Sequence, residues 1–314
     1  MINPGTVVPD LVPYRAIDLA GKDFPEVPFI VPGLIPEGLT MLAGAPKAGK
    51  SFMMLQLGLA VPQGHPVFGS FQTNPSQVLY AALEDHERRM KVRLNMLGQE
   101  IPDGLLLVHE LPRINEGGAA KLQKWLRLNP DVKLVMIDTL AHIFPRDHKS
   151  NDYMDSTAAL RDLRDVAHEL GIAIVLVHHS RKMGADDAFD TILGSRGITA
   201  TVDTMLVLDR ARHQADSILQ VTGRDIDEQR YAFAFNGGTW THMGNAQMVD
   251  VTPERAALLA EVAEHGTTGI GPTALARALG DNKNNVQAML IRATKDGQLA
   301  NVGGRYLIAD SLNY

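Results

Sequence analysis

No cysteine occurs among the 314 residues. A disulfide framework, a thiolate zinc site and a cysteine nucleophile are therefore excluded together. The chain also lacks an excess of positive charge. Its 30 Lys and Arg stand against 36 Asp and Glu, a net of −6, so any contact with DNA must be local rather than spread over the surface. Long apolar runs are missing too. The longest, such as residues 171–177, fall far short of a bilayer span, and no basic segment followed by an apolar stretch opens the sequence, so a cytoplasmic protein with no membrane partner is expected. No short internal repeat or low-complexity tract is visible. What remains, 45% hydrophobic and 21% charged residues, is ordinary globular composition, and the length suggests one large α/β domain plus a smaller one.

Residues 1–38 carry Pro4, Pro9, Pro13, Pro25, Pro28, Pro32 and Pro36, a density that rules out a long helix or central strand and predicts an extended arm. From Leu39 the pattern becomes an apolar strand (39–43), a glycine loop, and a helix from Lys50 to about Ala60. Further apolar runs at 77–83, 105–108, 134–138, 172–178, 205–208 and 218–221 predict strands. Ala159, Leu163, Val166, Ala167 and Leu170 mark one face of an amphipathic helix between the strands at 134–138 and 172–178. Alternating strands and helices imply an α/β core with a mostly parallel sheet over residues 39–245. In residues 252–314 the character changes. A helix opening at Pro253, a glycine-rich break at 266–271, a short helix ending at Gly280, a longer helix and a hairpin around Gly303-Gly304 predict a small winged-helix domain.

Residues 44–51 read Gly44-Ala45-Pro46-Lys47-Ala48-Gly49-Lys50-Ser51, the GxxxxGK[ST] pattern. Glycines permit the tight loop whose backbone N–H groups surround a phosphate, and the following helix points its positive end at the anion. Lys50 then reaches the terminal phosphates of ATP and Ser51 offers a hydroxyl to Mg²⁺; Phe52 completes the expected nucleotide-binding set. The strand 134–138 ends in Asp138, where a carboxylate would hold the metal together with Ser51. The second strand runs into Leu83-Glu84-Asp85, placing a carboxylate at the sheet's carboxyl edge beside the phosphate loop. Glu84 is expected to activate water, the alternative being an acid that merely caps the next helix.

These motifs, with Arg93-Leu94-Asn95-Met96-Leu97-Gly98, Ile137-Asp138-Thr139-Leu140, His178-His179-Ser180-Arg181-Lys182 and Gly194-Ser195-Arg196-Gly197, resemble the RecA-fold ATPases close to plasmid RepA-type hexameric replicative helicases, relatives of the DnaB-type helicases. The likeness covers residues 28–240 and implies a RecA-like core. It implies that Glu84 is the catalytic acid-base residue and that Arg93 lies near the nucleotide; otherwise Arg93 is a solvated helix arginine beside Arg89. It places a polar sensor at the end of the strand after Asp138, held here by His178 and His179. One of the two meets the phosphate, because neighbouring strand residues face opposite ways, and His178 is preferred. It implies an arginine finger donated by a neighbouring subunit of a hexameric ring, with Arg224 chosen over Arg210 and Arg212.

The resemblance also implies that two channel loops hold single-stranded DNA. Arg146 and Lys149 in the first, and Arg181 and Lys182 in the second, are the candidate contacts. The tail is a departure from the compact plasmid helicases. Residues 251–314 carry six basic and six acidic side chains, yet Asn282, Lys283, Asn284 and Asn285 open its longer helix with groups suited to bases or phosphates, so DNA contact and protein docking both stay open. The reading of the whole is a DNA motor, most simply a helicase. A RecA-like recombination or regulatory ATPase is the alternative, and a small-molecule kinase finds no acceptor pattern.

Overall fold

The computed structural model describes residues 15–23, 25–144, 153–179, 201–209, 216–246, 253–295 and 299–308. The described part opens with a short helix, α1 (Ala16–Ala20), and a two-stranded hairpin of β1 (Phe29–Val31) and β2 (Ile35–Pro36). The proline-rich segment is thus not extended throughout. Val31, Leu34 and Ile35 are buried in the main core, and Asn74 binds the Phe29 and Ile30 carbonyls through its side chain and its backbone N–H.

Six strands run parallel: β3 (Gly38–Gly44), β4 (Gln77–Ala82), β5 (Leu105–Val108), β6 (Val132–Asp138), β7 (Ala173–His179) and β8 (Thr204–Asp209). Three more, β9 (Asp216–Gly223), β10 (Gln229–Asn236) and β11 (Thr239–Asn245), extend the sheet antiparallel. The order is β11-β10-β9-β8-β3-β7-β6-β4-β5. The central strands are buried on both faces, as near-continuous apolar runs require, because helices cover each side.

On one face lies α2 (Lys50–Ala60), packed with Tyr80, Leu134, Met136, Val175 and Val177. On the other lie α4 (Gly118–Leu128) and α6 (Tyr153–Leu170), whose Leu122, Leu126, Leu160, Leu163, Val166 and Ala167 meet Leu79, Val135, Ile137, Ile174 and Leu176. The helix face read from Leu163, Val166 and Ala167 is the buried one. The short helix α5 (Leu140–Ile143) follows β6, and α3 (Glu87–Leu97) follows β4. Nine of the eleven residues of α2 are buried, which is why this helix shows no polar face: the β10–β11 hairpin, joined by the Gly237-Gly238 turn, covers the side the sheet leaves open.

The C-terminal unit has its own core. Helices Pro253–Glu264, Pro272–Leu279 and Lys283–Lys295 and the hairpin of β12 (Leu299–Val302) and β13 (Arg305–Ile308) bury Leu258, Val262, Leu275, Val286, Leu290 and Tyr306 together. Ile270 adds an isolated bridge to Tyr306. Asn282 is spent on local structure: its side chain accepts the Asn284 N–H at 2.8 Å, an N-terminal cap of the last helix. No described helix is long and apolar enough to cross a membrane.

Candidate nucleotide site

The loop between β3 and α2 adopts the conformation its glycines allow. Gly49 sits at φ +102° as the N-cap of α2, and Lys47 also takes a left-handed conformation at φ +65°. A Cβ on Gly44 would come within 2.7 Å of the Leu208 carbonyl on β8, so only glycine lets these strand ends close together. Lys50 is 4% exposed. Its ammonium donates to the Gly44 carbonyl at 2.7 Å, the Ala45 carbonyl at 3.0 Å and His179 Nδ1 at 3.0 Å, and it has no ion pair among the described residues. Burial pulls its pKa down to about 8 against the opposing pull of Asp138 and Glu84. A buried cation held only by neutral acceptors is poised for an anion.

Asp138 ends β6 two strands from β3, with β7 between them. Its carboxylate is buried, accepts the Tyr80 hydroxyl at 3.0 Å and is hydrogen-bonded by Ser51. Burial raises its pKa, and the Ser51 and Tyr80 hydrogen bonds work against that rise. A hydroxyl and a carboxylate side by side are hard oxygen donors that fit Mg²⁺, whose charge would relieve the burial cost of Asp138.

Glu84 follows β4, which lies one strand further out than β6. It is therefore not beside the phosphate loop in the sheet, and it reaches the site through side chains instead. Thr139, buried next to Asp138, donates its hydroxyl to Glu84 Oε1 at 3.0 Å. His179 Nε2 lies 3.4 Å from the same oxygen, and His142 Nδ1 lies 3.9 Å from it. Since an ammonium can only donate, His179 Nδ1 accepts from Lys50 and the ring proton sits on Nε2, facing Glu84. His179 thus links the lysine to the carboxylate.

It is His179, not the preferred His178, that the fold brings to Lys50 and Glu84. His179 shares a face of β7 with Val175 and Val177, the face covered by α2, whereas His178 shares the opposite face with Ile174 and Leu176. Burial, followed by the charges of His179 and Lys50, holds the His178 pKa down to about 4.

Arg93 reaches the margin of the site. It pairs with buried Asp85, which also accepts Arg89 at 3.1 Å, and its guanidinium lies 5.4 Å over the ring of Phe52. Arg224 does not join the site within one chain. Gly223 pairs with Thr204, the first residue of β8, so Arg224 stands at the sheet edge opposite the phosphate loop, 3.7 Å from Asp203. Arg146, Lys149, Arg181, Lys182, Arg210 and Arg212 lie outside the described residues. The sequence reading missed Tyr80, Thr139 and His142, as well as Gln56 and Trp240, whose hydrogen bonds hold α2.

A family profile described as AAA domain (AAA_25) matches residues 9–185. The chain belongs to this AAA domain family. DNA repair protein RadA of Halalkalibacterium halodurans is 26% identical over 192 residues, covering 60% of this chain and 36% of that protein. RadA of Streptococcus pneumoniae is 27% identical over 195 residues, covering 60% and 39%. The chain therefore spans little more than a third of the curated relatives it matches. Among solved structures, a chain described as an ATPase domain superposes with a TM-score of 0.52 at 15% identity over 66% of this chain and 85% of that one. The AAA-family core has the RecA-like P-loop fold, with Lys50, Ser51, Asp138 and Glu84 converging at the carboxyl ends of its parallel strands.

Proposed function

We propose that this chain is a Mg-ATP-hydrolysing, ring-forming DNA motor, a replicative helicase of a plasmid, phage or other mobile element. The observation that carries the hydrolytic part is the convergence of Glu84, held by Thr139 and His179, on the buried Lys50 and Asp138. The loop 44–51 would cradle the phosphates of ATP, with Lys50 exchanging its carbonyl partners for phosphate oxygens. Ser51 and Asp138 would hold Mg²⁺, which supplies charge neutralisation at the phosphates. Glu84 takes the proton of the attacking water, and Thr139 fixes the direction of its carboxylate. His179 is the sensor candidate.

Arg224, 61% exposed at its side chain, is available to a neighbouring copy and serves as the finger donated in trans. A hexameric ring would bring Arg146, Lys149, Arg181 and Lys182 of its subunits around single-stranded DNA. We read residues 252–314 as a winged helix. With Asn282 used as a cap and Arg305 bound to the Gly269 carbonyl, docking of a protein partner is favoured over duplex reading.

The RadA matches favour a second reading, an ATPase of DNA repair that remodels strands without serving a replication fork. ATPase rates with and without single-stranded DNA, combined with unwinding of a tailed duplex, separate the two. DNA-stimulated hydrolysis with unwinding supports the helicase; stimulation without unwinding supports the second reading. A monomer indifferent to every DNA would remove both.

A further inference from the structure

The β10–β11 hairpin does more than cover α2. The indole N–H of Trp240 donates to the Gly49 carbonyl at 3.0 Å, the same carbonyl that accepts the Phe52 and Met53 N–H groups in the first turn of α2. The ring packs closely against the loop: a Cβ on Gly49 would stand 2.8 Å from Trp240 Cζ2 and 3.3 Å from Phe235 Cε2. Gly49 is therefore required twice, by its φ of +102° and by the indole pressed on it. Two turns along α2, the buried amide of Gln56 answers both backbone groups of the same residue, accepting the Trp240 N–H at 2.7 Å and donating to its carbonyl at 3.1 Å. The Phe235 ring lies 4.6 Å from that of Trp240 and 5.8 Å from that of Phe52, and a Cβ on Gly238 in the hairpin turn would strike the Phe52 ring at 2.8 Å. The edge strand β11 is thus tied to the phosphate loop at Gly49 and to the middle of α2 at Gln56.

We propose that Trp240 is a positioning residue for nucleotide binding, and that the β10–β11 hairpin moves with the phosphate loop as the site fills. The reasoning rests on the ATP reading of residues 44–51. Gly49 contributes backbone to the phosphate cradle, so the angle at which its carbonyl is held sets where the following N–H groups point. Trp240, held on β11 by its backbone bonds to Gln56 of α2, fixes that angle. Any shift of the loop on binding is transmitted to the indole, because a buried hydrogen bond and a close-packed ring contact cannot both be kept if only one partner moves.

The test uses the full chain and its two tryptophans. Trp125 is 36% exposed on α4, outside the site, and Trp125→Phe leaves Trp240 as the sole indole. In that protein the Trp240 emission is expected to change on addition of Mg·ATPγS and to return on its removal. In the wild-type background, Trp240→Phe keeps an aromatic ring and loses the N–H. It is expected to raise the KM for ATP by roughly two- to tenfold, the range a single buried hydrogen bond supports, with kcat changed less than about twofold. A Gln56→Met variant, which fills a similar space but can neither accept the Trp240 N–H nor donate to its carbonyl, is expected to move KM in the same direction. Emission blind to nucleotide in a Trp125→Phe protein that binds ATPγS, or a folded Trp240→Phe protein with unchanged KM, would overturn the proposal. Failure of the wild-type protein to bind ATPγS at all would instead sink the ATP reading on which it rests.

Discussion

Replacing Tyr80 with Phe removes one oxygen from a side chain that is fully buried and whose hydroxyl donates to Asp138 Oδ2 at 3.0 Å. Burial, followed by the nearby Asp138 charge and the hydrogen bond, holds the Tyr80 pKa well above its ordinary value, so the group is a neutral donor at every working pH. A hydrogen bond to a charged acceptor contributes about 1.5 to 3 kcal/mol, and the ring of phenylalanine fills the same space, so we expect Tyr80→Phe to lose about 2 kcal/mol of stability at neutral pH. The sign of the pH dependence follows from Asp138. Its folded pKa is raised above the unfolded value, so the native state holds that proton more tightly and stability falls as pH rises through the interval between the two. Loss of the Tyr80 donor raises the folded value further. The penalty is therefore largest where Asp138 is ionised and shrinks on acidification. Urea denaturation of wild type and Tyr80→Phe at neutral and acidic pH, repeated in an Asp138→Asn background, measures it. With a neutral acceptor the loss should drop to about 1 kcal/mol or less. A penalty independent of pH, or one equally large in the Asp138→Asn background, would show that the Tyr80 hydroxyl does not stabilise the Asp138 charge.

Three further outcomes follow from the same site. Lys50, with its pKa pulled down to about 8 by burial, is about half protonated at pH 8 before nucleotide binds; phosphate would restore the charge, so binding should take up about half a proton there. Titration calorimetry in buffers of different ionisation enthalpy reads this, and zero uptake would contradict the buried-cation account. His179→Ala is expected to lower kcat for ATP, whereas His178→Ala should leave kcat within about twofold, since only His179 faces Glu84 and Lys50. Because the folded His178 pKa lies below its unfolded value, wild-type stability is lost as pH falls from about 6.5 toward about 4, and acid unfolding of His178→Ala should lack that component.

The parallel core is readable in the sequence because its parts announce themselves by pattern. The strands expected at 77–83, 105–108 and 134–138 and the helix from Lys50 to Ala60 coincide with β4, β5, β6 and α2 within a residue or two. Strand order is not readable, since nothing in a run of apolar residues says which neighbour it pairs with; Glu84 therefore lies further from the phosphate loop in the sheet than expected. Which of His178 and His179 faces Lys50 is not readable for a related reason. The strand Ala173–His179 is apolar on both faces, so its sequence carries no alternation to say which side meets α2, and only its register against Asp138 and Gly44 decides. Trp240 and Gln56 meet across 184 residues of sequence, and Thr139 meets Glu84 across 55, so neither pair leaves a local signature. Arg224 rests on family likeness, and its ion pair with Asp203 cannot be seen in a pattern.

Activation of water by Glu84, at a nucleotide site built from Lys50, Ser51 and Asp138, is tested by comparing ATP binding and ATP hydrolysis in wild type and Glu84→Gln. The variant is expected to bind Mg·ATP as tightly as wild type, within about twofold, while its turnover falls by at least about a hundredfold. Turnover of Glu84→Gln at the wild-type rate would contradict that role for Glu84.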